Sequence, residues 1–230
     1  MKFSTVKKYR RRHKLLGALL IRNPVLVLGL DLPFVIAAAT SLKNAAAMAI
    51  QIFIIHTGTM LVGRVTCTKL HRWQAIVANV AAATFMMMVA QVLVVALFRG
   101  ISNSLGMYLY LMAVNAMTVF QSSALPKNAK IWPVFTGALS NALGFALVVG
   151  VVALIREYFA FGSLWGISLP VLIKLPALAI PFAGFMLMGF LLAFTRFLNK
   201  RLLALSLLET ARKEARYTKI HVDSVETIDL

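Results

Sequence analysis

The sequence predicts an all-α polytopic membrane protein with six transmembrane helices. These form two inverted three-helix repeats, with the first and fourth helices interrupted. Three observations lead there. The 230 residues are 60% hydrophobic and only 13% charged, whereas soluble domains carry about a quarter charged residues, and the mean hydropathy is +0.84. Cutting the chain at its Lys and Arg residues leaves apolar blocks at 23–42, 44–63, 73–98, 100–126, 131–155 and 175–195, each near the roughly 20 residues that cross a bilayer as helix. A short echo, "SLKNA" (Ser41 to Ala45) and "LPKNA" (Leu125 to Ala129), follows the first and fourth blocks and divides the chain into three spans plus three. An odd number of spans per half turns the second half upside down. The runs are continuous rather than alternating, which excludes barrel strands.

Taken in order, residues 1–22 hold eight Lys or Arg and read as a basic amphipathic arm on the cytoplasmic face. The membrane domain follows at 23–199, with repeats of about 23–99 and 100–199. The first block is no cleavable signal: it is long, broken by Gly29, Asp31 and Pro33, and lacks a small-residue cleavage site. The stretch 64–72 reads as a cytoplasmic connection containing the single cysteine, Cys67. One cysteine permits no internal disulfide and no four-thiolate site within the chain. Residues 158–173, apolar and aromatic but punctuated by Gly162, Gly166 and Pro170, read as an outer interfacial or re-entrant segment. Residues 200–230 form a cytoplasmic helical continuation and a short acidic tail.

The net charge of +17 would suggest nucleic acid in a soluble protein. Its distribution points to topology instead. Alternate sides of the predicted bundle hold 20 and 4 of the Lys and Arg residues, and the positive-inside rule places both termini in the cytoplasm. The partner implied by the basic ends is the lipid bilayer, not nucleic acid.

Asp31 is the single acidic residue inside a span. A carboxylate in hydrocarbon is costly and marks a functional site by default; the alternative is a carboxyl kept neutral or bonded to backbone freed at the Pro33 break. Asn115 and Gln121 lie in the interrupted fourth span. Broken helices at membrane depth need protein or a cavity around them, so Asp31, Asn115 and Gln121 are candidates for one central polar site and an ion path. Arg156 and Glu157 read as a structural pair at the outer end of span five. His56 reads as a histidine hydrogen-bonded between helices, with proton shuttling as the sharper alternative. There is no catalytic constellation, no metal motif and no phosphate loop.

Five stretches, in order, carry a resemblance: "NPVLV" (Asn23 to Val27), "TSLKNA" (Thr40 to Ala45), "LGMYLYLMAVNAM" (Leu105 to Met117), "LGFALVVGVVALIREYFAFGSLWG" (Leu143 to Gly166) and "PFAGFMLMGFLLAF" (Pro181 to Phe194). Together the chain resembles the six-helix membrane subunits of the Rnf and Nqr ion-translocating electron-transport complexes, nearest to the RnfE/NqrD type. The resemblance implies pairing with a second, inverted six-helix subunit and with flavin-bearing redox subunits in the bacterial inner membrane. It also implies an iron–sulfur cluster held between the two membrane subunits, with one Cys from a Leu-Gly-x-Cys-Pro motif in the first span and one from a Val-Asn-Cys motif in the fourth. This chain departs at both positions. "VNAM" places Ala116 at the second. The first falls on Pro33 or Asp31, depending on which end of the block anchors the match. None of these side chains takes the place of the Cys or His that such clusters use. No cofactor is therefore expected on this chain alone; flavins and iron–sulfur clusters are expected in its partners.

The resulting expectation is an accessory, non-catalytic subunit of a redox-driven ion translocase, serving as scaffold or ion path. Two alternatives of other classes stand beside it. One is a stand-alone inverted-repeat transporter using Asp31. The other is a membrane anchor for a soluble redox protein.

Overall fold

A computed structural model of the chain describes residues 23–170, 174–198 and 200–201. The basic arm 1–22 lies outside the described residues, as does the C-terminal extension apart from Lys200 and Arg201, which are helical.

Four helices are long and apolar enough to cross a bilayer: Leu42–Lys69, Arg72–Leu97, Ile131–Phe161 and Pro181–Leu198. The first and fourth apolar blocks fold instead as strings of short pieces. In the first, α1 (Pro24–Leu28) begins at Asn23, whose Oδ1 accepts the Val25 N–H at 2.9 Å. It ends where Gly29 and Asp31 take positive φ angles of 66° and 63°. Glycine adopts that conformation freely; a residue with a side chain rarely does. The chain then restarts as a π-helical turn, Phe34–Ala38, with Pro33 in front of it, where the missing proline N–H removes no bond. In the fourth block, α4 (Ile101–Leu105) stops at Gly106, φ 50°. Next come α5 (Tyr108–Leu111) and a 3-10 turn, Met112–Val114. Asn115 is extended and caps α6 (Ala116–Ser123), its Oδ1 accepting the Thr118 N–H at 2.9 Å.

The continuous helices build the frame. Ser41 caps α2 (Leu42–Lys69) by accepting the Asn44 N–H at 3.3 Å. Only Leu70 and His71 separate α2 from α3 (Arg72–Leu97). There His71 and Gln74 form a reciprocal capping box. The sequence reading of 64–72 as a connection is thus corrected: Arg64 and Cys67 lie on α2. Cutting at cations shortens the helix because a long basic side chain can sit on a helix end and reach outward; the Arg64 Nε donates to the Ala129 carbonyl. α7 (Ile131–Arg156) runs into a second π-helical turn, Glu157–Phe161. The stretch read as interfacial or re-entrant continues as an antiparallel hairpin, β1 (Ser163–Leu164) with β2 (Ile167–Ser168). Trp165 and Gly166 turn it with φ of 57° and 82°, the paired positive angles of a tight hairpin turn. Residues 171–173 lie outside the described residues. A 3-10 turn, Pro176–Ala179, then leads to α8 (Pro181–Leu198).

Among the described residues, those up to Phe190 fall in one compact unit and those from Leu191 to Arg201 in a second. In the first, α2 is the central element, packed against α3, α6 and α7. It is 56% buried over its most apolar window, against 22% for α3. Helix α2 buries Ala45, Met48, Ile52 and Ile55, and α7 buries Ala142, Phe145, Val149 and Val152. Helix α3 instead presents Val77, Phe85, Met88 and Val92 outward, an apolar surface suited to lipid. In the second unit, Thr195 returns its hydroxyl to the carbonyls of Leu191 and Leu192.

Gly184 of α8 sits where a Cβ would come within 3.0 Å of the Ile36 carbonyl in the first broken segment. Gly184→Ala is expected to push these elements apart and destabilise the chain by roughly 1–3 kcal/mol, the usual cost of overpacking. Equilibrium unfolding in detergent micelles measures it; a stability equal to wild type would contradict the contact.

Candidate functional site

The two interrupted segments meet inside the first unit. Helix α1 is fixed to α7 by Asn23, whose amide donates to the Gly144 carbonyl at 2.8 Å. Beyond it, the reversal at Gly29 and Asp31 brings the Asp31 carboxylate to the start of α6. Its Oδ1 accepts the Met117 N–H at 3.3 Å, and the Ala116 N–H and the Asn115 side-chain amide lie beside it. Asp31 is 3% exposed and Asn115 and Met117 are fully buried. The amino end of a helix is the positive end of its dipole, so α6 presents both partial positive charge and unpaired N–H groups to a buried carboxylate.

A string of polar side chains extends from this point. Asn115 caps Thr118, whose Oγ1 lies 3.2 Å from Nδ1 of His56 on α2. His56 is in turn beside Gln121, and Gln121 Oε1 accepts from the Asn141 amide of α7. Gln51, also on α2, donates to the Leu109 carbonyl at 2.7 Å in the second broken segment. Several buried atoms along these elements have no protein partner, among them Asp31 Oδ2, Asn115 Nδ2, His56 Nε2, Gln51 Oε1 and Thr59 Oγ1. Buried polar atoms are ordinarily paired with protein or ordered water, and a polar interior at membrane depth is where ion pathways occur.

Of the three candidate path residues, Asp31 and Asn115 are therefore neighbours, and Gln121 joins them through His56 and Thr118. The contact of His56 with Thr118 fits its reading as an interhelical hydrogen-bonder. Thr118 is a member of the string that the sequence analysis does not single out. A signal for it exists: it follows Asn115 by three residues, the spacing of a cap.

Arg156 and Glu157 sit at the rim of this arrangement, both buried, and both act on backbone. The Arg156 guanidinium donates to the carbonyls of Ile36 (2.6 Å), Ala39 (3.3 Å), Leu178 (3.0 Å) and Ala179 (2.8 Å). Those carbonyls belong to the end of the first broken segment and to the 3-10 turn before α8. Glu157 Oε2 accepts the Leu42 N–H at 2.6 Å, at the start of α2, and Oε1 accepts the Gly166 N–H of the hairpin at 3.4 Å. One dipeptide thus ties together the turns that an interrupted helix leaves without partners.

The thiolate cluster that the sequence resemblance implies does not fit these residues. At the crossing, the first segment supplies the Asp31 carboxylate and the second the Ala116 N–H, Ala116 itself being exposed. Pro33, the other candidate for the first position, is exposed and starts the π-helical turn. Cys67 is on α2, with its Sγ 3.3 Å from the Ser122 carbonyl to which it donates. Among the described residues no group of three or more His, Cys, Asp or Glu is placed to hold a metal ion.

Comparison with known proteins agrees with the membrane architecture. Residues 12–192 match the family described as "Rnf-Nqr subunit, membrane protein". The chain is 24% identical over 186 residues to one subunit of the proton-translocating ferredoxin:NAD(+) oxidoreductase complex of Clostridium ljungdahlii, covering 80% of this chain and 87% of that one. It is 25% identical over 191 residues to a subunit of the Na(+)-translocating ferredoxin:NAD(+) oxidoreductase complex of Acetobacterium woodii, covering 78% and 92%. Against a subunit of the Na(+)-translocating NADH-quinone reductase of Pseudoalteromonas atlantica it is 23% identical over 189 residues, covering 79% and 90%.

Proposed function

Since this chain belongs to the family of Rnf-Nqr membrane subunits, we propose that it is a membrane subunit of a redox-driven ion-translocating complex in which a carboxylate site stands at the crossing of the two interrupted segments. The observation that carries this reading is the Asp31–Met117 contact, which joins the two breaks at a buried, polar point. In this reading the broken segments cross the bilayer beside the four continuous helices. Six spans then form two inverted repeats, with both termini in the cytoplasm of a bacterial inner membrane. The relatives' names supply the class of assembly: complexes that translocate protons or sodium ions and act on ferredoxin and NAD(+), or on NADH and quinone.

Within that assembly the chain would scaffold a second, inverted six-helix subunit and flavin-bearing partners. It would contribute an ion path along Asp31, Asn115 and Gln121, with His56 and Thr118 between the last two. It would hold no iron–sulfur cluster by its own side chains, because among the described residues no thiolate or imidazole stands at the crossing. The buried polar string supports a path, since polar and ionisable groups at membrane depth mark ion routes.

Affinity purification of the full chain in mild detergent, with every co-purifying protein identified by mass spectrometry, tests the assembly. Flavoproteins and a second six-helix membrane protein are the expected companions. A chain that purifies alone, and still moves an ion in an Asp31-dependent manner, would make it a self-contained transporter instead.

A further inference from the structure

We propose that the cation the Asp31 site takes is a proton and not a metal ion, an inference that rests on the reading of Asp31 as an ion site. The groups around the carboxylate are donors. The Met117 N–H bonds Oδ1, and the Ala116 N–H stands beside it. The Asn115 side chain cannot turn its oxygen inward, because that oxygen already accepts the Thr118 N–H as the cap of α6. Its Nδ2 is the end left over, and it stands beside the carboxylate.

A sodium-type ion needs several oxygen ligands, which unwound helices in membrane transporters supply from free carbonyls and from helix carboxyl ends. Here the geometry is the reverse: the helix end aimed at Asp31 is an amino end. Five carbonyls of the broken segment are also engaged. That of Asp31 accepts the Phe34 and Val35 N–H groups, and that of Phe34 accepts the Ala39 N–H. The Ala38 carbonyl accepts the Thr40 N–H and the Asn44 amide, and those of Ile36 and Ala39 accept from Arg156.

Charge points the same way. Among the described residues, His56 of α2 is connected to the site through Thr118, Arg156 of α7 holds the far end of the same segment, and Arg72 of α3 lines a cavity with Ala116. The other ionisable side chains on α2 are Lys43, Arg64, Cys67 and Lys69. Glu157, the other described carboxylate, is bonded to the start of α2 and to the hairpin. Among the described residues no second carboxylate is placed to help hold a metal cation. A proton needs none of these ligands. It requires one lone pair, which Asp31 Oδ2, the oxygen not bonded by the Met117 N–H, can supply.

Infrared difference spectroscopy on the purified assembly, stepped through pH, tests the inference. The expected result is a carboxylic-acid C=O band that appears on acidification and is absent from Asp31→Asn. Asp31→Glu, which keeps a carboxyl, should retain a band at shifted frequency. Sodium added at fixed pH should leave the band and its midpoint unchanged. Displacement of the band by sodium would assign the site to a metal cation. A carboxylate that stays ionised at every pH would make Asp31 a fixed anchor for α6. Both results overturn the proposal. Redox-driven ion movement in Asp31→Asn probes the underlying reading separately: transport that survives the substitution defeats that reading whatever the infrared spectrum shows.

Discussion

Arg156→Ala is expected to prevent stable accumulation of the chain. The guanidinium is completely buried and satisfies four carbonyls, two at the end of the first broken segment and two in the turn before α8. Ile36 and Ala39 are buried, and each buried acceptor left without a donor costs roughly 1–3 kcal/mol; Leu178 and Ala179 are half-buried and add less. Even with partial relaxation the total should reach about 3 kcal/mol or more, a large share of a typical folding free energy. Arg156→Lys should rescue only in part, because an ammonium cannot reproduce the planar fork that reaches several carbonyls at once. Chain abundance in membranes and the midpoint of thermal aggregation in detergent are the readouts. Normal abundance and stability in Arg156→Ala would show that these carbonyls find other partners.

The second large effect falls on activity rather than stability. Asp31→Asn keeps an oxygen to accept the Met117 N–H, so the crossing of the two segments should survive. It removes the group that can exchange a charge. In proteoliposomes containing the assembly, redox-driven ion movement is expected to fall about tenfold or more, equivalent to about 1.4 kcal/mol of added barrier. Assembly composition should be unchanged. Electron transfer measured with an artificial acceptor is expected to continue, since no cluster is held by Asp31 or Ala116. Unchanged ion movement would return Asp31 to a purely structural role.

These two residues also mark what sequence reading can and cannot reach. The break at Gly29, Asp31 and Pro33 is legible because glycine, an acid and proline rarely share an apolar run without interrupting it. The second break is legible through Asn115 and Gln121, polar residues in an apolar block. Which residue of the first break faces the second is not legible: Asp31 and Pro33 are two positions apart, and only the positive φ at Gly29 and Asp31 decides that the carboxylate turns inward. The Arg156-Glu157 pair is read from adjacency. Neighbouring residues on a helix do not face each other, so each side chain reaches a different turn. A boundary drawn at the charge of Arg64 cuts α2 short, whereas the helix continues for five more residues to Lys69. The hairpin at Trp165 and Gly166 lacks the Asn-Gly or Asp-Gly signal of such turns, so Gly162, Gly166 and Pro170 mark an interrupted segment without specifying a hairpin. His56 and Thr118 are visible singly. Their contact across 62 residues of sequence is a product of packing that no local pattern encodes.

The meeting of the two interrupted segments is tested most directly by paired cysteine cross-linking in native membranes. In a Cys67→Ser background the chain has no other thiol. Asp31→Cys combined with Asn115→Cys, whose side chains lie beside each other, should then form an intramolecular disulfide on mild oxidation, while either single variant should not. Failure to cross-link, with each single cysteine still reactive and each variant still accumulating, would contradict the crossing and with it the carboxylate site.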